Sequence, residues 1–471
     1  MRFDEHFITG ALSNVSILYN TFPQDPQFSV NSRTIKKGDI FIALAGAYKD
    51  GHDYVVEALS KGAAGCIIEQ DKQSVLSQID VDVLKNKLVL VVQDTLQALV
   101  RLAAAWRAQF TYPVIGITGS VGKTSTKELL ANILTASGKK CIVSYDNQNT
   151  KIGLSLNMLR MRQYHHVAIF ELGISKRGEM AELARLAQPT NAIITNIGHQ
   201  HMDGLGSLQD IALEKRDIFK YFTEESIGII NGDQPVISQV AYPHPVIRFG
   251  AKTTNQIQAR KVRIDGVHVN FVMKIYKNKY AIQLDQPHMG AVSNVLAATA
   301  AAHLLGVSEQ VIVQTVQKPL VIAGRFEQLK LKSDLGNIIN DCYNASPESM
   351  KISLLAFQSI ETPAHKIAVL GDMLGLGVNS PFWHRQLGRF LRKVPSVKQV
   401  ILVGNLVQWT QETVPVGMQV TIVPCWQDAV DLLRATLQNK SLVLVKGSLG
   451  IGLGNLVDLV SEQKTGQSIQ L

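Results

Sequence analysis

Pro113-Val114-Ile115-Gly116-Ile117-Thr118-Gly119-Ser120-Val121-Gly122-Lys123-Thr124 decides how this chain of 471 residues folds. Residues 113–118 are apolar and mostly β-branched, which predicts a strand. Glycines at 119 and 122 predict a turn. Beyond Lys123 apolar residues recur at helical spacing, Leu129 with Ile133 and Leu130 with Leu134, and Gly138 supplies a stop. A strand, a glycine-rich turn, Lys-Thr and a helix, in that order, predict a phosphate-binding loop. Converging backbone N–H groups and the positive end of the helix favour a polyphosphate there. Lys123 can reach the β- and γ-phosphate oxygens of a nucleotide, and the Thr124 hydroxyl can ligate Mg2+. The usual G-x-x-x-x-G-K-[ST] spacing needs glycine at 117, where Ile117 stands, so the loop is a variant. The competing reading is a glycine turn followed by an ordinary surface lysine. The agreement of four adjoining features outweighs it.

On the C-terminal side of this segment, Val167–Glu171 and residues 191–197 are short apolar strands with a helical Glu179–Ala187 between them. That order implies parallel strands joined by crossover helices. Residues 257–284 alternate around Asp265-Gly266 and predict antiparallel hairpins. On the N-terminal side, short strands (39–44, Gly65–Glu69, 88–93) mix with the turn signals Asp50-Gly51 and Lys61-Gly62. After Arg325, strands 337–343, Lys366–Gly371, Gln399–Val403, Gln419–Val423 and 442–445 alternate with helices Pro347–Ser359, 383–394, 427–437 and 455–462. That is a doubly wound, Rossmann-like pattern. The expected class is α/β in three domains: a small α/β domain over 1–95, a central phosphate-loop domain with a parallel sheet and hairpins over 96–324, and a Rossmann-like domain over 325–471.

Composition narrows the function classes. Hydrophobic residues at 46% and charged residues at 18% exclude general disorder. The net charge of +9 attracts anions but does not choose among nucleic acid, a membrane surface and a small anionic ligand. The basic residues are dispersed along the chain and no nucleic-acid module is present, so nucleic acid is set aside. Cys66, Cys141, Cys342 and Cys425 form no C-x-x-C pair, which fits a reducing compartment. Residues 289–308 carry no Asp, Glu, Lys or Arg, but the stretch is Ala-rich and holds Ser293, Asn294, Thr299 and His303. A helix buried in a domain is expected there, not a membrane span. A cytoplasmic protein without signal peptide or membrane insertion follows. The run at 447–454 fails G-x-G-x-x-G, which disfavours a dehydrogenase.

A nucleotide site needs a metal shell. Glu171 ends one strand, and His199, His201 and Asp203 follow the next. Sites in parallel sheets form at the carboxyl ends of strands, so Glu171 and His201 can converge beside the loop. In the predicted helix 208–222, with Ser207 as N-cap, the apolar stripe is Leu208, Ile211, Lys215, Phe219 and Phe222. Lys215 lies on the buried side. By pattern alone, snorkelling of its ammonium to water is the leading reading, ahead of a lysine aimed into the site.

Taken together these segments resemble the Mur ligases, the ATP-dependent amide-forming enzymes of peptidoglycan synthesis. Asn31-Ser32-Arg33, Lys37-Gly38-Asp39-Ile40-Phe41-Ile42-Ala43 and Asp50-Gly51-His52 resemble the family's UDP-sugar-binding domain. Residues 118–124 resemble its own phosphate loop, which accounts for the spacing. Asn147-Gln148-Asn149, Glu171-Leu172-Gly173 and residues 197–207 are similar to its central signatures, and Gly324-Arg325 to its hinge. Asn340-Asp341-Cys342-Tyr343-Asn344-Ala345-Ser346-Pro347-Glu348-Ser349-Met350 resembles the Asp-x-Tyr-Asn-Ala-x-Pro-x-Ser-Met string of the members that add D-alanyl-D-alanine. Leu370-Gly371-Asp372-Met373 and Val445-Lys446-Gly447-Ser448 follow in order. The chain departs from the family at Asn31, at Thr150 and at Leu449, where Asp, Asn and Arg are usual. It departs again at 290–294, where only Asn294 of a His-Asn-x-x-Asn set remains, and at 374–377, which lacks a Glu.

The resemblance implies roles. Thr118, Gly119, Ser120, Gly122, Lys123 and Thr124 would bind ATP, with Asn294, Arg325, Asp341, Tyr343 and Asn344. Thr124, Glu171 and His201 would surround Mg2+. Lys215 matches a lysine that can be carbamylated into a carboxylate-like ligand, which favours the functional reading over snorkelling. Lys123, Glu171, His201 and Lys215 form the implied catalytic set. Ser32, Arg33, Asn147 and Asn149 would hold the UDP-sugar-peptide. The implied substrates are UDP-N-acetylmuramoyl-tripeptide and D-alanyl-D-alanine, handled by a monomer. The alternatives are a sibling ligase or folylpolyglutamate-type synthase with another amino-acid substrate, and a degenerate nucleotide-binding homologue.

Overall fold

The computed structural model describes residues 2–46, 48–362 and 365–462. The ends of the first and third expected domains, Met1 and 463–471, lie outside the described residues.

Three sheets carry the chain. The first runs Ser16–Asn20, Leu88–Val92, Gly65–Glu69, Ile40–Ile42, Phe28–Ser29, parallel except for its antiparallel first strand. Leu88–Val92 is buried at every position, which is why it reads as an unbroken apolar run. The second sheet has nine strands. Cys141–Val143, Val167–Glu171, Val114–Thr118, Asn191–Ile194, Ile227–Asn231, Val246–Gly250 and Ile257–Asp265 are parallel neighbours in that order. His268–Ile275 and Asn278–Leu284 extend it as the expected antiparallel hairpins. The third sheet runs Glu327–Lys330, Gly336–Asn340, Ser441–Lys446, Lys366–Gly371, Gln399–Val403, Gln419–Val423, with only the first strand antiparallel. Separate apolar cores on its two faces make it doubly wound.

Helix Thr95–Arg107 is capped by Asp94 and begins where the first expected domain ends. It buries Leu99, Leu102 and Trp106 in one core that joins Ile40 and Leu90 of the first sheet to Leu154, Phe170 and Leu183 of the second domain. The Ala-rich stretch forms the buried helix Met289–Leu304, packed on the phosphate-loop helix Lys123–Ala136. The predicted helix 208–222 is α-helical over Leu208–Arg216 and tightens to a 3-10 turn at Asp217–Phe219. Ser207 caps it in a capping box with Asp210.

His288 caps the Ala-rich helix, its Nδ1 accepting from the Ala291 N–H at 2.9 Å. Burial holds its imidazole at about 4, below the ordinary 6.5, with Lys446 pushing the same way and Asp341 opposing. The unfolded imidazole takes its proton near 6.5 and the folded one only near 4. Stability present above the higher value is therefore lost as pH falls through this window. His288→Asn keeps a strong cap without a titrating ring. Its melting temperature is expected to fall less than that of the native protein between about pH 7 and about pH 5.

Candidate active site

The strand Val114–Thr118 ends in a tight loop that the helix Lys123–Ala136 continues. Gly119 has φ +148° and Gly122 has φ +88°, backbone that side chains rarely adopt. A Cβ at Gly119 would stand 1.9 Å from Thr195 Oγ1, and one at Gly122 would stand 2.3 Å from Asn294 Oδ1. The loop is clamped from the neighbouring strand end. Ser120 N–H donates to the Asn196 carbonyl at 3.0 Å, and Val121 N–H donates to Asn196 Oδ1 at 2.7 Å.

Lys123 folds back to donate to the Gly119 carbonyl at 2.9 Å. Burial, aided by the Arg325 charge, holds its ammonium below the ordinary lysine range, and Glu171 opposes this. Glu171 is only 2% exposed. Its carboxylate accepts from Thr124 Oγ1 and from Asn149 Nδ2, both at 2.9 Å. Arg325 reaches across from the third domain to donate to Thr124 Oγ1 at 3.4 Å, and its guanidinium lies 3.9 Å from the centre of the Tyr343 ring. Arg325 Nε is buried without a partner.

Lys215 is 3% exposed and faces the same cavity. Burial, with Lys123 adding repulsion, holds its ammonium well below the ordinary range. Desolvation disfavours the charged form, so the neutral amine is within reach. His201 sits in left-handed backbone at φ +55°. Burial, Lys123 and Lys215 keep its ring down at about 4, so it is neutral near pH 7 with a lone pair free for a cation.

One cavity of about 600 Å3 is lined by Ser120, Gly122, Lys123, Asn147, Asn149, Glu171, His201, Lys215, Arg325, Tyr343 and Asn344, with Leu449 at its edge. Seven other expected residues lie off its lining. Thr124 stands behind it, bonded to Glu171. Thr118 and Gly119 form the strand end beneath the loop. Asn294 lines a second cavity, shared with Ser125 and Leu129 of the loop helix and with Val316, residues 318–322, Arg325 and Phe326. Asp341 is buried, paired with Lys446 at 2.8 Å and accepting from the Phe326 N–H. Ser32 and Arg33 stay in the first domain, where Ser32 Oγ donates to Glu57 at 3.0 Å.

Sequence reasoning missed the seam between the second and third domains. His199 Nδ1 and its backbone N–H both meet Glu348 Oε1, at 2.6 Å and 3.2 Å. Its ring lies 4.3 Å from that of Trp383. Met202 packs against the cores of both domains. The partners are 149 residues apart, so spacing carries no signal of them. This seam holds Tyr343 and Asn344 over the phosphate loop. Glu348→Ala is expected to raise the KM for ATP about fivefold while changing kcat less, because a partly exposed pair is worth roughly 1 kcal/mol. Steady-state kinetics check it.

Comparisons with known proteins agree along the chain. Family models described as "Mur ligase family, catalytic domain", "Mur ligase middle domain" and "Mur ligase, glutamate ligase domain" match residues 28–107, 117–302 and 324–449. The UDP-N-acetylmuramoyl-tripeptide–D-alanyl-D-alanine ligase of Bacillus subtilis (strain 168) is 33% identical over 92% of each chain. That of Treponema pallidum (strain Nichols) is 32% identical over 93% of this chain and 94% of its own. MurF from Acinetobacter baumannii superposes with a TM-score of 0.82 at 25% identity, covering 98% of this chain and 99% of that one. MurF ligase from Thermotoga maritima, solved in complex with ADP, gives 0.76 at 25% identity over 92% and 97%. The chain belongs to the Mur ligase family and is an ATP-dependent, amide-bond-forming ligase.

Proposed function

We propose that the chain joins D-alanyl-D-alanine to UDP-N-acetylmuramoyl-tripeptide, forming a peptidoglycan precursor. The observation that carries this reading is one cavity in which the phosphate loop, Glu171, His201 and Lys215 face Tyr343-Asn344-Ala345-Ser346 of the third domain. The relatives that cover more than nine-tenths of the chain bear that ligase's name.

The division of labour follows the three expected domains. Residues 1–95 take the UDP-sugar through Ser32 and Arg33. Residues 96–324 take ATP through Thr118–Thr124 and Asn294, with Asn147 and Asn149 facing the peptide. Residues 325–471 add Arg325, Asp341, Tyr343 and Asn344 and receive the amine. A carboxylate oxygen of the tripeptide attacks the γ-phosphorus and ADP leaves. The amine nitrogen then attacks the acyl carbon of the mixed anhydride, loses a proton, and inorganic phosphate leaves. Lys123 offsets charge on the transferring phosphoryl group, and closure at the His199–Glu348 seam brings the reactants together and keeps water out. Thr124, Glu171 and His201 suit Mg2+, since they offer a hydroxyl, a buried carboxylate and a neutral imidazole. The cation would neutralise phosphate charge. Lys215, once carbamylated, would add an anionic ligand. A monomeric cytoplasmic enzyme completes the reading, and no described helix is long and apolar enough to cross a membrane.

The test is to incubate the protein with ATP, Mg2+, UDP-N-acetylmuramoyl-tripeptide and a panel of amines, then read phosphate release and product mass. A product heavier by one D-alanyl-D-alanine residue pair is expected. A product with a single amino acid would move the chain to a sibling activity, and ATP binding without product would leave a degenerate homologue.

A further inference from the structure

Strand pairing gathers basic residues that the sequence disperses. In the antiparallel extension of the central sheet, Val269, Phe271, Met273 and Ile275 turn inward to the core under Met289–Leu304. The opposite face carries Arg260 across from Val272, Arg263 across from Asn270, and Lys274 directly across from Lys279. Exposed Lys261, at a bulge with φ +52°, and exposed Lys277, in the turn, flank it. No ion pair among the described residues involves any of these six. Asp285 is held by His268 at 2.9 Å, and Glu309 by Asn278 at 2.8 Å, which leaves Asp265 at the hairpin tip.

Like charges directly opposite across strands destabilise a sheet. The fold therefore carries an electrostatic cost here that an anionic partner would relieve. Between its cations the face holds Gln258, Asn270, Val272 and Ala281, and Tyr276, in the turn, sets its ring against His303 of the core helix, so the face lacks the row of stacking platforms that single-stranded nucleic acid needs. Exposed apolar residues crown the hairpin tip, Val267 in the turn itself and Ile264 on the core side of the strand, opposite Val269. Basic side chains beside exposed apolar ones suit the headgroup layer of an anionic bilayer. Three strands separate Ile257–Asp265, the innermost strand of this face, from the phosphate-loop strand, so the face is apart from the cavity.

We infer that this face docks the protein peripherally, without insertion, on anionic phospholipid membrane. The test uses the full chain and co-sedimentation with vesicles of phosphatidylglycerol and phosphatidylcholine, against vesicles of phosphatidylcholine alone. Binding to the anionic vesicles only is expected, falling about tenfold or more when salt rises from ~0.05 M to ~0.5 M. Arg263→Glu, Lys274→Glu and Lys279→Glu combined should lose binding about tenfold or more while ligase turnover on soluble substrates persists, which reports an intact fold. No binding by the native protein, equal binding by the triple variant, or preferential binding of RNA or DNA over the anionic vesicles would each overturn the inference.

Discussion

Lys123→Ala is expected to lower ATP-dependent phosphate release by roughly a thousandfold or more, because one preorganised charge at a transferring phosphoryl group is worth that much. Its half-buried side chain folds back to donate to the Gly119 carbonyl at 2.9 Å. Burial lowers its pKa, so its charge destabilises the folded chain at neutral pH and a polyphosphate would offset that cost. Removing the charge should therefore leave the melting temperature unchanged or raised. A large loss of turnover with no loss of stability separates a functional lysine from a structural one. Turnover within tenfold of the native protein would dismiss the phosphate-loop assignment.

Glu171→Gln probes the other wall of the cavity. The carboxylate accepts from Thr124 and Asn149 at once, and the Glu171 N–H donates to Ser144 Oγ at 3.0 Å. An amide has one acceptor oxygen, so one of the two donors loses its partner, and the negative charge goes as well. A fall in kcat of about a hundredfold to a thousandfold is expected, with a raised Mg2+ requirement. Turnover measured against Mg2+ concentration checks it. A fall that added Mg2+ does not touch, matched by a fall in melting temperature, would make Glu171 a structural residue.

The parts of this molecule that were legible in the sequence are those set by local pattern. Val167–Glu171, Glu179–Ala187, Pro347–Ser359, Lys366–Gly371, Gln399–Val403 and Gln419–Val423 have the predicted bounds, because each is bracketed by turn residues and, apart from the half-buried edge strand Gln419–Val423, is buried along one face or both. Cys141–Val143, Ile227–Asn231 and Val246–Gly250 were not identified: the first has only three residues, and Gly228 and Arg248 interrupt the apolar runs of the other two. Lys215 shows the limit of pattern in a site. Helical spacing put it on the buried side but favoured snorkelling, and only the resemblance pointed inward, where the fold places it. The His199–Glu348 contact and the basic hairpin face were invisible, because both come from chain segments that meet only after folding.

The Ala-rich helix that carries Asn294 against Gly122 has a thermodynamic consequence. Six of its ten buried residues are alanines, at 291, 297, 298, 300, 301 and 302. An alanine has no rotamers to lose, so a wall built of them costs almost no side-chain entropy when it is rigidified. The helix that presents the phosphate loop thus rests on a support already at its stiffest. Nucleotide binding then has little left to freeze on that side, and its entropy cost falls on the hinge and the third domain.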